Sequence, residues 1–466
     1  MNRLLARWYF PVSLKYISLV AYVAFIVIGF MVYTTDAALI RQLRNTNLGN
    51  LIVWSYWWPA IVVLAVVFGR VWCMVCPVEV VTAFFSRIGL RRKRPAWLLS
   101  GWGITIFYII ILFVGMQGLA IHQNPFYMSV YMLSIVVVSI VIGGFYEKNA
   151  FCRYVCPVGY LLGLYSRLAI FGWRVKSKEV CDSCKDKSCI HKKYHYQQNY
   201  KSCGVDLYPA HVNDNNDCIL CAGCLKTCGT YQSNPIPERP NPGYRRIGFA
   251  SDLMQLKLLK TSEMIFVLVV SGFIISQIWS EWNVTNNYLV YLPNLVIGYL
   301  GITSSILIGL VRSLVLFVAV PLVIWYLPWL SLRMAGGSMK LKEYFLSYGI
   351  AFIPIIAAAH VSKSIIKSVS RIPYFEYAFT DMVGLDTAQK INAGEIQLQT
   401  NPFWLNALVT LLLVIVFALG IWLSIRVVRA LNQKFHQESN SMGNYLIPFV
   451  YGGIFFVMII AWRFWG

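Results

Sequence analysis

Residues 51–77, LIVWSYWWPAIVVLAVVFGRVWCMVCP, join a charge-free apolar run over 51–69 to a turn that carries Arg70, Cys73, Cys76 and Pro77. A helix made from that run rises ~30 Å, the hydrocarbon thickness of a bilayer. Two thiols ahead of a helix-starting proline, directly at the end of such a span, are candidates for redox or metal chemistry at a membrane edge, or for packing there.

Eight further apolar runs lie at 16–33, 96–115, 127–145, 264–279, 310–330, 344–366, 403–424 and 445–462, which makes nine spans. With 58% hydrophobic and only 13% charged residues, and a mean hydropathy of +0.61, the 466-residue chain is too apolar for a soluble protein. The fold class expected is an all-α polytopic membrane protein. The run 16–33 exceeds the ~7–15 residues of a secretory h-region, so it reads as an uncleaved first span. Residues 288–308 are apolar but contain Pro293, Gly298 and Gly301. They read as a re-entrant or interfacial piece, because a tenth span would put the basic cluster Arg426, Arg429 and Lys434 outside.

Forty Lys+Arg against 19 Asp+Glu give a net charge of +21. In a membrane chain this excess marks cytoplasmic loops rather than nucleic-acid binding. Arg3, Arg7 and Lys15, then Arg87 and Arg91 to Arg94, then Arg333, Lys340 and Lys342 all fall on one side of the alternation. The expected placement is a bacterial-type inner (cytoplasmic) membrane, N-terminus in the cytoplasm and C-terminus in the periplasm. Three segments follow: a membrane module over 1–157, a polar cytoplasmic domain over 158–262, and a second membrane module of about five spans over 263–466.

All twelve cysteines fall on the cytoplasmic side, eight of them in the polar domain. Thiols kept on the reducing side argue for metal ligation over disulfides. Cys218-x2-Cys221-x2-Cys224-x3-Cys228 wraps three corners of a cubane and sends its fourth thiolate to a neighbouring cluster. Upstream stand Cys181-x2-Cys184-x4-Cys189 and Cys203. The crossed pattern of two-cluster ferredoxins gives one [4Fe–4S] cluster Cys181, Cys184, Cys189 and Cys228, and the other Cys203, Cys218, Cys221 and Cys224. Two zinc sites are the bland alternative, disfavoured because zinc sites pair separated C-x2-C knuckles. The insertion between Cys189 and Cys203 holds His191 and His195 and is expected as a surface flap. Gly229, not proline, follows Cys228.

The chain also repeats itself. Cys76-Pro77-Val78 is followed at ten residues by Ser86-Arg87, and Cys156-Pro157-Val158 at ten by Ser166-Arg167. Two such units about a pseudo-twofold axis would gather Cys73, Cys76, Cys152 and Cys156. They stand as ligands of a third metal centre, as redox dithiols, or as packing.

The turns, the Cys-Gly-Val-Asp-Leu stretch at 203–207 and the Cys218–Cys228 run together resemble the NapH/NosR-type membrane ferredoxins over about residues 50–230. The resemblance implies two cytoplasmic [4Fe–4S] clusters and electrons drawn from the quinone pool, and it marks Cys73, Cys76, Cys152 and Cys156 as the family's paired turn cysteines. The family turn has three residues between its cysteines, where Cys73–Cys76 has two. The five C-terminal spans lie outside the likeness.

There is no C-x-x-C-H, hence no covalent c-type haem. His122 and His360, both toward the outer face, are candidates for a quinone contact or, less favoured, one b-type haem. Arg312 is a candidate anchor for an anionic group. The outer loop 368–402 places Tyr374, Phe375, Tyr377 and Phe379 beside Glu376, Asp381, Asp386 and Glu395. It reads either as a dock for a redox partner such as a c-type cytochrome, or as a loop folded onto the bundle. The function expected is electron transfer from the quinone pool, or a cytoplasmic donor, to a partner redox protein. The rival is an assembly factor that reduces a metal site on another protein, and a transporter is the third reading.

Overall fold

The computed structural model describes residues 2–7, 9–185, 187–196, 202–228, 241–435 and 438–465. Eight helices in it are long and apolar enough to cross a membrane, from Val12–Phe30 to Met442–Phe464, and a shorter apolar helix covers Trp102–Gly118. Each falls on one of the nine apolar runs. Residues 288–308 divide between the helix Asn283–Tyr299, with Pro293 inside it, and the start of the helix Ser305–Leu314. Asn283–Tyr299 is not among the span-length apolar helices, and it exposes Tyr288, Tyr291 and Tyr299.

The chain forms two compact units. One contains Met1–Val27, Ile61–Ile104 and Ser129–Asp252; the other contains Ile28–Ala60, Thr105–Met128 and Leu253–Gly466. The division passes through the first four apolar helices, so neither unit coincides with the consecutive segments read from the sequence.

In the first unit the sequence repeat is visible as structure. The short helix Val71–Val75 leads through Cys76 into Pro77–Ile88, and Ala150–Tyr154 leads into Pro157–Ser166 just after Cys156. Each cysteine is the N-cap and each proline opens the helix, where its missing N–H costs nothing. The helix Pro77–Ile88 meets Pro125–Phe145 with almost no side chain between them. A Cβ on Gly89 would lie 2.2 Å from the Gly144 carbonyl oxygen, and one on Gly143 2.9 Å from that of Thr82. Beyond the helices the chain winds through loops tied by one antiparallel pair, β1 (Phe171–Val175) with β2 (Pro242–Arg246), Trp173 opposite Tyr244.

The second unit is a helical bundle around Leu341–Thr380, which is almost wholly buried. Its neighbour Phe403–Lys434 presses close at Gly420, where a Cβ would meet Ala358 at 2.6 Å. A polar knot fixes one end of the bundle. Tyr348 and the Asn444 amide both donate to Asn432 Oδ1, at 2.7 and 2.8 Å, and Tyr344 donates to Asn444.

Loop 368–402 folds back on its own unit. Tyr374 packs with Leu48, Leu51 and Ala378, and the Phe375 ring lies 4.4 Å from that of Tyr56. Asp381 accepts from the Gly384 and Thr387 amides and the Thr387 hydroxyl, and Asp386 pairs with Lys390. These carboxylates are occupied within the loop.

Candidate iron–sulfur site

Two left-handed residues, Leu220 and Ala222, bend the run from Cys218 to Cys224 into a coil. Left-handed backbone at non-glycine residues costs of order 1–2 kcal/mol each and persists where surroundings fix it. Here it leaves Cys203, Cys218 and Cys221 in electrostatic range of Cys224. Burial, and then the neighbouring thiols Cys203, Cys221 and Cys218, push the Cys224 thiol well up. Cys218 is raised to about 12 and Cys203 to about 11, burial leading in both.

Cys228 turns away from this set. It lines a small cavity with Cys181, Cys184 and Cys189, closed by Tyr208, Asn241 and Pro242. Burial and then Cys228, Cys181 and Cys184 push Cys189 up to about 12. Cys228 thus shares its cavity with the three upstream cysteines. Among the described residues no three His, Cys, Asp or Glu side chains converge on a single-ion site. Buried thiols this crowded do not ionise unaided, and an iron core supplies the positive charge that deprotonates them. The donor sets fit iron–sulfur clusters on that ground.

N–H groups point at the sulfurs. Asn241 donates to Cys181 Sγ at 3.0 Å, the Trp173 indole to Cys224 Sγ at 3.1 Å, and the Leu207 amide to Cys203 Sγ at 3.4 Å. Such bonds tune cluster potential.

The turn cysteines form a third gathering. Burial and then Cys73 and Cys156 raise the Cys76 thiol, and Cys152 is raised by burial, Glu79, Cys76, Cys156 and Cys73. Cys156 Sγ accepts the Gly159 amide at 3.3 Å, at a helix N-terminus. Arg70 is buried beside Cys73 and donates to the Asn216 carbonyl at 2.7 Å.

Ion pairs tie the cysteine loops to the membrane helices' ends. Asp206, inside the Cys203–Leu207 stretch, accepts from Lys148 and Arg94; Lys148 is fully buried and Arg94 also reaches Glu147 at 3.2 Å. Arg153 donates to the Val205 carbonyl and pairs with Asp217. Lys15 pairs with Glu79 at 2.5 Å, and Asn149 donates to the other Glu79 oxygen at 2.7 Å.

The comparisons with known proteins converge on this region. A family profile described as a 4Fe-4S binding domain matches residues 50–96 and 128–178. A methylamine utilization ferredoxin-type protein, MauN, of Paracoccus denitrificans is 29% identical over 137 residues, 25% of this chain and 46% of MauN. The regulatory protein NosR of Pseudomonas aeruginosa is 26% identical over 113 residues, 24% of this chain and 99% of that sequence. The chain resembles the NapH/NosR-type membrane ferredoxins. An uncharacterised protein of Methanocaldococcus jannaschii is 26% identical over 174 residues, 36% of this chain and 64% of its own length. The chain spans less than two thirds of the length of the archaeal protein and of MauN. No solved structure matches.

The profile attaches its iron–sulfur description to segments that hold Cys73, Cys76, Cys152 and Cys156, and stops short of Cys181. The remaining sequence candidates take separate places. His360 accepts the Trp58 indole N–H at 3.1 Å. His122 lines a polar cavity that does not include His360. Arg312 donates to Asn294 at 3.1 Å. The insertion after Cys189 does not stand out as a flap in its described part: His195 is buried against the Ser202 carbonyl, and Lys192 pairs with Glu147. Residues 197–201 of the insertion and Gly229 lie outside the described residues. Sequence reasoning missed Trp173, Asn241 and Lys148, and it named Arg70 in the turn without giving it a role. The isolated basic and acidic residues flanking the Cys-Pro turns were the available signal for Lys148.

Proposed function

We propose that this protein oxidises membrane quinol and passes its electrons one at a time through cytoplasmic iron–sulfur clusters to a partner redox protein. Two [4Fe–4S] clusters are assigned to Cys181, Cys184, Cys189 and Cys228, and to Cys203, Cys218, Cys221 and Cys224. A third metal centre is assigned to Cys73, Cys76, Cys152 and Cys156. The single observation that supports the reading is the cavity lined together by Cys181, Cys184, Cys189 and Cys228, which brings Cys228 to the upstream cysteines as the crossed pattern requires. The clusters supply one-electron steps; the chain's residues bury them and aim N–H groups at their sulfurs.

A groove in the first unit supports the quinol end. Val12, Tyr16, Leu19, Phe84 and Phe85 line a space of about 410 Å³, and Lys15 and Glu79 also face it. Lys15 lies in electrostatic range of Cys152 and Cys221, and Glu79 of Cys152. An apolar trough with one ionisable pair suits a quinol, whose oxidation releases two electrons and two protons. The Glu79 carboxylate, held by Lys15 and Asn149, is the group that can accept one of those protons.

The test uses purified, anaerobically reconstituted protein. Two cubanes require about eight irons and eight sulfides, and a third centre adds two or four irons that Cys152→Ser removes. Quinol should reduce the clusters in the electron paramagnetic resonance spectrum, and Glu79→Gln should slow quinol without slowing dithionite. A zinc-loaded protein, silent after reduction, would overturn the assignment; loss of the same signal in Cys228→Ser and Cys224→Ser would overturn the crossing.

A further inference from the structure

The second unit holds a polar cavity of about 260 Å³ that the iron–sulfur chemistry does not use. It lies where the helix Leu48–Phe68 begins, where Thr261–Trp279 ends, and in the last turns of the helix Phe352–Ser370. Two of the chain's π-helical segments border it: Ile52–Trp57 supplies Trp54 and Ser55, and Ile111–Gly118 leads into the loop bearing His122. Wide turns of this kind recur at binding sites because they re-aim side chains within a helix.

The charge balance around the cavity is uneven. Arg44, Lys367 and Arg371 line it, and Glu281 is the one carboxylate among the described lining residues. Glu281 is engaged by Lys363, which also donates to the Gln277 carbonyl at 2.7 Å. That pair is neutral, so three basic side chains face the cavity in excess. Like charges held together away from bulk water repel strongly and are retained only when something of opposite sign lies among them.

The hydrogen-bonding capacity has the same bias. The Gln123 amide lies 3.0 Å from His122 Nε2 and can donate to it, which leaves the ring proton on Nδ1. His122 Nδ1 and Arg371 Nε are buried and have no hydrogen-bond partner among the described residues. Burial, then Lys367, Arg44 and Lys363, hold His122 down to about 3, so it stands as a neutral donor. Donors dominate, and they arrive from four separate stretches of chain.

We infer that this cavity binds a small oxyanion carrying two or more negative charges, of the phosphate or dicarboxylate class, between Arg44, Lys367, Arg371 and His122. The volume takes a molecule of this size and not a haem or a lipid chain. The C-terminal spans, together with the segments that carry Arg44 and His122, then form an anion-binding module.

Thermal unfolding of the full, cluster-loaded protein in detergent tests this, with inorganic phosphate, sulfate, succinate and chloride compared at equal ionic strength. A short-chain phosphatidic acid is included as the lipid source of the same group. A multivalent oxyanion should raise the melting temperature where chloride does not; a rise with phosphatidic acid alone would assign the site to a lipid headgroup and overturn the free-anion reading. Arg371→Gln and Lys367→Met should each weaken phosphate or succinate binding by about tenfold or more, as loss of a charge-assisted bond requires. Lys367→Met should also raise the melting temperature of the anion-free protein, since it removes repulsion that no anion offsets. Unchanged iron content serves as the check on folding. Equal stabilisation by all salts, or undiminished binding by both variants, would overturn the inference.

Discussion

The two units treat buried charge in opposite ways. In the cysteine-bearing unit cations find carboxylates of the same chain: Lys148 and Arg94 share Asp206, Lys15 has Glu79, and Arg174 has Asp252 at 2.5 Å. In the C-terminal unit Arg44, Lys367 and Arg371 crowd about a cavity that offers one carboxylate, itself engaged by Lys363. A compensated cation is a fastening, and removing its partner leaves a desolvated charge. An uncompensated one facing a void is an invitation to a ligand.

The contrast can be broken most directly at Asp206. Asp206→Asn strands Lys148 in the interior and should cost about 3–5 kcal/mol, read as loss of bound iron and a lowered unfolding midpoint. A stable, fully loaded variant would mean that the fastening is ornamental. In the second unit, Asn432→Leu removes the acceptor shared by Tyr348 and Asn444 and should cost about 2 kcal/mol, because two buried donors lose their partner. Asp381→Ala strips the cap from loop 368–402 and should cost about 1 kcal/mol, visible as faster amide exchange at Gly384 and Thr387 with iron content unchanged. The smallest effect is on the cluster side. Trp173→Phe deletes an N–H···S bond and should lower the potential of the cluster bound by Cys224 by on the order of 50 mV, with the other cluster's potential unmoved.

Spans and thiols were legible in the sequence because both are carried by composition and short spacing. Nine apolar runs became nine apolar helices among the described residues, and Cys228 lines a cavity with Cys181, Cys184 and Cys189. Side chains that act across hundreds of residues were not legible. Nothing near Trp173 announces that its indole will reach Cys224, and nothing near Arg44 announces Lys367 and Arg371. The compact units were hidden for a related reason: a continuous apolar helix gives no sign of where its contacts change partners, as Val12–Phe30 does at Val27. The outer loop's acidic residues looked free because hydrogen bonds such as those of Asp381 leave no trace in composition.

The seam at Gly89, Gly143 and Gly144 has a kinetic meaning. Electron tunnelling through protein slows exponentially with distance, so a donor and acceptor that drift apart by even a small fraction of their separation lose much of their rate. Helices separated by side chains can slide as rotamers exchange; backbone laid on backbone cannot. By laying the helix that follows Cys76 against the one that leads toward Cys152, backbone on backbone, the glycines hold the two repeats' thiols at one spacing, and with it the distance from any centre those thiols share to its redox partner. Replacing Gly89 with alanine would wedge that seam open from within, and the first quantity to change would be a rate.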